Sequence, residues 1–488
     1  MIALDELQGF ARDGLARLRR RSDVEAAELF VAANEQLIAR LNYTSDIPCN
    51  GVHEPKSSTS FGVGVLAVFR AGTERRLGFG SEVGSLTPDG LDRAVTKAAR
   101  NAVLDPDFHS LPQPPSEAPR LVDYHDPQVM ALDDETLVDL GWQALSGAVL
   151  TYKDAGFTQT LIVNGDVTVL RERMAIVSTT GIDVADESTI LMATITSMIE
   201  REQVKGTGWS LATHLAKFTP RDAGAQAAQS AINTIGGVRL PSGGYAAVLG
   251  RQAVTELVSN LLVPSLSLDV VDAKASPFCG RLGERVASPC LSLYDDGALP
   301  GEIASKKVTC EGLPTGRTDL IEEGRLVGFL ADHYTSQKLR SPVREFAPRN
   351  GFRFNNGRDF RRRATVFPTN VVVCGHNEAP PEALLAGIER GVYVGRLWYT
   401  YPIHGLGPGD FTGTIVGDSY LIEGGKLSRP VKPNTLRVND NFLRLFNDIV
   451  GISRERHATL VWGSEESVLA PEIAVGSLAL ESIAQFLA

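Results

Sequence analysis

Ala246–Pro264 reads AAVLGRQAVTELVSNLLVP: a short apolar strand, a turn at Gly250, then a helix. The helix length is about three turns at 3.6 residues each. On it, Thr255-Glu256-Leu257-Val258-Ser259-Asn260 fills the span in which a zinc hydrolase carries His-Glu-x-x-x-His. A helical His pair of that kind offers two imidazoles to a metal, with the intervening Glu as general base. Here the Glu is kept and both imidazoles are absent. Threonine and asparagine offer neither a basic nitrogen nor a charge at neutral pH, so they are poor zinc ligands. A lone helical glutamate is ordinarily a solvated surface residue. Its meaning depends on what surrounds it.

Working outward, Arg221–Ile235 is an Ala-rich helix that stops at Gly236-Gly237, and the domain boundary is placed there. Upstream, Leu4–Arg20 has the apolar spacing of an amphipathic helix. Glu28–Ala33 and Gln36–Asn42 read as one hairpin, and Phe61–Arg70 with Arg75–Phe79 as a second around Ala71-Gly72-Thr73. Between them Tyr43–Ser60 reads as a long polar loop holding Cys49, His53 and Glu54, three ligand types without helical or turn spacing. Thr87 caps a helix over Thr87–Leu104, with Pro88 at its first position. Asp105–Pro119 is a Pro-rich connection. A helix over Asp134–Lys153 then leads to strands near Thr158–Val169, Met174–Thr179 and Ser188–Glu200.

Downstream, the segments Leu320–Leu326 (LIEEGRL) and Leu421–Leu427 (LIEGGKL) repeat a strand–turn–strand pattern with a glycine suited to positive φ. The expected fold is α+β. Residues 1–237 form an antiparallel sheet with helices, and residues 238–488 a β-rich, barrel-like domain.

The chain has 488 residues, 43% hydrophobic and 22% charged, as in ordinary globular proteins. A net charge of −10 argues against a nucleic-acid surface, and the single basic run, Arg358–Arg363, is short. Five scattered cysteines, Cys49, Cys279, Cys290, Cys310 and Cys374, show no C-x-x-C pair; they suit a reducing cytoplasm. No window approaches the ~18 apolar residues that span a bilayer. The N-terminus lacks a signal-like apolar core, so a cytoplasmic location without membrane contact is expected. Gly405–Gly413 (GLGPGDFTG) does not join a strand to a helix as a phosphate loop does. The eight histidines are dispersed, leaving His333, His376, His404 and His457 as the pool for any metal site assembled in three dimensions.

Four blocks, in order, carry a resemblance over nearly the whole chain. They are FGVGV with GFGSEVGSLTPDGLDRAV (from Phe61 to Val95), DLIEEGRLVGFLADHYTSQK (Asp319–Lys338), GDFTGTIVGDSYLIEGGKLSRPV (Gly409–Val431) and LAPEIAVGSLALES (Leu469–Ser482). The chain resembles the TldD/TldE (PmbA) family, historically called modulators of DNA gyrase. The resemblance implies a heterodimeric zinc metallopeptidase. Its TldD-type subunit binds zinc through His-Glu-x-x-x-His and a later cysteine. Carried over, the ligand positions fall on Thr255, Asn260 and Trp462, so the chain looks like the TldE (PmbA) type. No metal is expected in this chain and zinc is expected in the partner, a zinc-bearing TldD-type homologue. The substrate would be a peptide or small amide, extended along a strand edge in a chamber. Glu256, His404, Asp410 and Phe411 are the candidate chamber residues. Two alternatives stand beside this reading. One is an autonomous homodimeric hydrolase with a displaced metal site, His404 and Asp410 first among its candidates; the other is a gyrase-associated binding module.

Overall fold

The computed structural model describes residues 1–483 apart from 48–49, 117–120, 159, 342–344, 354–357 and 461–466. It is an α+β protein whose C-terminal region holds a curled half-barrel sheet. Helices α1 (Leu4–Leu18), α2 (Pro88–Arg100), α3 (Asp134–Asp154) and α4 (Pro220–Asn233) accompany an antiparallel sheet. Its strands are β1 (Val24–Thr44), β2 (Lys56–Ala71), β3 (Glu74–Val83), β4 (Leu161–Ser178), β5 (Asp183–Ile199) and β6 (Val204–Ala212). They run in the order β3-β2-β1-β4-β5-β6, and Gly51–Val52 pairs with β1. One face packs on the helices: Ala39, Val167, Ala193 and Ile195 meet Leu137, Ala144, Ala227 and Ala231.

The capped helix at Thr87 forms as expected: the Thr87 side chain accepts from Gly90 N–H. Two expected breaks do not occur. Glu28–Asn42 is not a hairpin but part of the unbroken β1, and Thr158–Thr179 is not two strands but the single β4. Polar residues interrupt the apolar runs at both places, and several of them are paired across the fold. Asn34 Nδ2 donates to Arg358 O at 3.1 Å, Arg171 Nη1 meets Glu35 Oε2 at 2.9 Å, and Lys306 Nζ meets Glu172 Oε2 at 2.6 Å. The expected loop Tyr43–Ser60 likewise contains Gly51–Val52 and the start of β2, while β6 had no counterpart in the sequence reading.

The glycines of the FGVGV and GFGSEV blocks are close-approach positions. A Cβ on Gly62 or Gly64 would strike Phe360, and one on Gly78 or Gly80 would strike Ala98 O or Ala94 O of α2. Helices α3 and α4 cross equally tightly, with Gly224 facing Ala144 O and Gly147 facing Arg221 O. Gly224→Ala is therefore expected to destabilise by about 1–3 kcal/mol through overpacking, despite alanine's better helix propensity. Urea unfolding checks this; a neutral or stabilising result would mean that the helices separate freely.

In the second half, β7 (Gly243–Leu249) is followed by strands β8 (Leu291–Asp296), β9 (Arg317–Glu322) and β10 (Asn370–Gly375). Next come β11 (Arg390–Val394), β12 (Arg396–Pro402), β13 (Asp410–Gly417), β14 (Tyr420–Glu423) and β15 (Lys426–Pro430). Then come β16 (Leu436–Asn441), β17 (His457–Thr459), β18 (Ser467–Ala470) and β19 (Ile473–Ser482), and the short strand Ile449–Ile452 pairs with β19. One sheet runs β12-β13-β16-β19-β7-β11-β14-β15, so β12 and β15 are its open edges; the other includes β9-β8-β10-β18-β17. Both repeated hairpins form: Ile321 pairs with Leu326 around Glu323 (φ 44°) and Gly324 (φ 77°), and Ile422 pairs with Leu427 around Gly424 and Gly425. They belong to different sheets. One core joins the two sheets, taking Leu249, Leu397, Phe411 and Ile415 from the first and Leu293, Leu320 and Val371 from the second.

Buried ion pairs join the halves. Arg353 Nη2–Glu28 Oε1 (2.7 Å), Arg358 Nη2–Asp186 Oδ2 (2.8 Å) and Lys306 Nζ–Glu172 Oε2 (2.6 Å) each pair a sheet residue of the first half with a basic residue of the second. Burial works to raise the Glu172 carboxyl, but Lys306 and Arg358 overcome it and hold it down at about 2.

Candidate functional site

The helix that follows β7, here α5, is α-helical over Arg251–Leu257, widens into a π-turn over Val258–Leu262 and closes with Val263–Ser265. Val263 N–H donates to Val258 O, five residues back. Pro264 supplies the physical reason: it has no N–H for the carbonyl four residues earlier, and its ring crowds that carbonyl. Single π-turns of this kind recur at functional sites. On a regular helix, positions five apart stand about 140° from one another. The widened turn begins at Val258, between Thr255 and Asn260, so the spacing of the two is not that of a regular helix throughout. Leu257, Val258, Leu261 and Leu262 fix the helix in the shared core.

Glu256 is buried, with 5% exposure, and is held along one helical face by its neighbours four residues away on either side. Gln252 Nε2 donates to Oε1 at 3.1 Å and Asn260 Nδ2 donates to Oε2 at 3.0 Å. Gln252 is itself fixed by β12, accepting from Leu397 N–H at 2.9 Å and donating to Leu397 O at 3.3 Å. Burial pushes the Glu256 carboxyl up to about 7, against Thr400, Gln252, the charge of Arg396 and Asn260, which all favour ionisation. Among these contributors are groups the sequence reading missed: Gln252, Arg396 and Thr400. The dense aromatic run Trp398-Tyr399-Thr400-Tyr401 was a signal for β12 that could have been followed.

Thr255 has no exposure, and its Oγ1 donates to Arg251 O at 3.0 Å. Asn260 is occupied by Glu256. Zinc requires deprotonated sulfur, imidazole nitrogen or carboxylate oxygen. The two described positions, neutral and engaged in hydrogen bonds, do not fit it. The third, Trp462, lies outside the described residues, as does Cys49; β17 and β18, which flank residues 461–466, both pack against α5.

Residues 242–482 match the PmbA/TldA metallopeptidase C-terminal domain. The chain belongs to the TldD/TldE (PmbA) family. Its fold is similar to TldE from Thermococcus kodakarensis, with a TM-score of 0.77 and 19% identity over 97% of this chain and 99% of that one. A putative modulator of a DNA gyrase from Thermotoga maritima gives a TM-score of 0.76 and 21% identity over 97% and 99%. A Methanocaldococcus jannaschii protein is 23% identical over 90% of this chain and 94% of its own. The metalloprotease TldD homolog of Haemophilus influenzae is 28% identical, but the match covers 43% of this chain and 41% of that relative.

The other candidate residues lie apart from Glu256 in character. Phe411 is fully buried in the core shared by the two sheets. Asp410 is half-buried and accepts from Asn441 Nδ2 at 3.0 Å, while His404 is exposed on the loop from β12 to β13. His333 is turned to Ser110 O at 2.9 Å, His376 stands exposed beside Glu323, and His457 lies on β17. His53 and Glu54 are exposed. Among the described residues no group of three or more His, Cys, Asp or Glu side chains is arranged to hold a metal ion. No described helix is long and apolar enough to cross a membrane.

Proposed function

We propose that this chain is the non-metal subunit of a TldD/TldE-type metallopeptidase heterodimer. It pairs with a zinc-bearing homologue and contributes one wall of a chamber for peptide or small amide hydrolysis in the cytoplasm. The observation that carries the reading is the Gln252–Glu256–Asn260 ladder on the π-widened helix. Hydrogen bonds from the neutral amides of Gln252 and Asn260 to Glu256 occupy the place where the sequence pattern of the family puts metal ligands. The zinc, its polarised water and the working general base belong to the partner in this reading. Here Glu256 is a buried positioning group that locks α5 to β12.

Elemental mass spectrometry tests the proposal on the untagged chain, purified alone and after co-expression with a zinc-bearing homologue from the same source. The expected result is under about a tenth of a zinc equivalent alone, and a stable pair carrying zinc with peptidase activity after co-expression. A full equivalent of zinc surviving dialysis of the lone chain would overturn it. The autonomous hydrolase and the gyrase-binding module draw no support from any arrangement of the described side chains.

A further inference from the structure

Arg396 opens β12 beside the Glu256 ladder, with its Nε fully buried and without a hydrogen-bond partner. Its guanidinium lies over the ring of Trp209 on β6, 5.7 Å from the centroid. Asp418 and Glu256 act on it through charge alone, and burial outweighs both, lowering its pKa. The two oxygens of Glu256 are already engaged by Gln252 and Asn260. The residue as a whole is only part-buried, and no described hydrogen bond is made by Nη1 or Nη2; the outer side of such a fork is matched in shape by a planar oxyanion, which it binds with paired N–H donors.

A second observation gives that oxyanion a context. Two residues along the strand, Trp398 receives Lys205 Nζ at 5.2 Å and stacks on Tyr399 with centroids 5.0 Å apart and planes at 12°. The pairing of β12 with β13 shifts register between Trp398 and Tyr401, and Tyr399 takes φ 53°. The usual alternation is thereby broken, and consecutive aromatic rings are exposed: Trp398 at 41% and Tyr399 at 66%. An exposed aromatic platform two residues from a guanidinium without a described hydrogen bond recognises a molecule with an apolar group next to an anion.

We propose that Arg396 anchors the C-terminal carboxylate of a bound peptide while Trp398 and Tyr399 carry its terminal apolar side chain. The proposal rests on the reading above for the peptide class, but not on the partner subunit. The test is calorimetric titration of the full chain with N-acetyl-Ala-Ala-Phe as the free acid and as its amide, with tryptophan fluorescence followed in parallel. The acid is expected to bind at least tenfold more tightly than the amide. Arg396→Gln should erase that preference, Arg396→Lys should keep part of it, and Trp398→Ala should weaken acid and amide alike. Thermal melts of each variant establish that it is folded; Trp398→Ala, at an exposed position, keeps the test open if Arg396→Gln does not fold. Equal binding of acid and amide, no binding of either, or a preference surviving in Arg396→Gln would overturn the anchor. Displacement of the peptide by inorganic phosphate at equal concentration would overturn the carboxylate assignment. A chain that binds the acid but forms no zinc-bearing pair would refute the heterodimer and leave the anchor standing; a pair without acid preference would do the reverse.

Discussion

Arg358→Ala is expected to destabilise the protein by about 3–5 kcal/mol, the cost of breaking a buried ion pair from one side. The Arg358 and Asp186 side chains are 3% and 0% exposed and meet at 2.8 Å. Asp186 also accepts from Tyr124 O–H at 2.7 Å. Without the guanidinium, Asp186 would keep two neutral donors, Tyr124 O–H and Glu187 N–H at 3.0 Å, and its charge would stay buried between β5 and the second half without a counter-ion in contact. The loss is one of compensation, not of attraction as such. Arg358→Met combined with Asp186→Leu should recover part of the stability, because both charges of the pair then stay out of the interior, while Glu172 still loses the help of Arg358 and Tyr124 O–H its acceptor. Urea unfolding of the two variants separates these cases. A single-variant cost below about 1 kcal/mol would show that water enters the junction and screens the pair.

The same junction explains what the sequence could and could not reveal. Capping at Thr87, the hairpins around Gly324 and Gly424-Gly425 and the helix stop at Gly236 are local, and each was legible from residue type and spacing. The continuity of β1 and β4 was not. Asn34, Arg171 and Glu172 carry the signature of a turn unless their partners are known, and Arg358 and Lys306 lie more than a hundred residues away in the chain. Long-range pairing overrode local propensity. At the site, the Thr255–Glu256–Asn260 span was readable as a motif with its ligands replaced. Pro264 was in view, but its effect on the helix was not read from it. The contribution of β12 was hidden for a different reason: Gln252 and Arg396 join the site through a strand that meets α5 only in three dimensions.

Glu256→Gln is expected to stabilise the protein by about 3 kcal/mol at pH 8 and by almost nothing near pH 4. The folded carboxyl titrates at about 7, against an ordinary value of 4.5. Because the folded value is raised, the stability linked to this group is fully present below about pH 4.5. It is lost as pH rises towards 7, since the unfolded chain ionises freely while the folded one must stay protonated or bury a charge. Each unit of difference is worth about 1.4 kcal/mol, which gives the plateau above pH 7. Glutamine fits the ladder without ionising. Gln252 cannot turn its amide over, because its Oε1 holds Leu397 N–H, so it continues to donate to the new side-chain oxygen. Asn260 can turn over and accept from the new amide. Asp295, which burial also raises to about 7, slopes in the same direction in both proteins, so their difference isolates Glu256. Urea midpoints from pH 4 to pH 8 measure it. Parallel curves would show that the Glu256 carboxyl titrates in the folded chain as it does in the unfolded one, so that its amide and hydroxyl neighbours and Arg396 cancel the effect of burial. A wild type that gains on the glutamine variant as pH rises from 4 would show that they outweigh it and hold residue 256 as an anion.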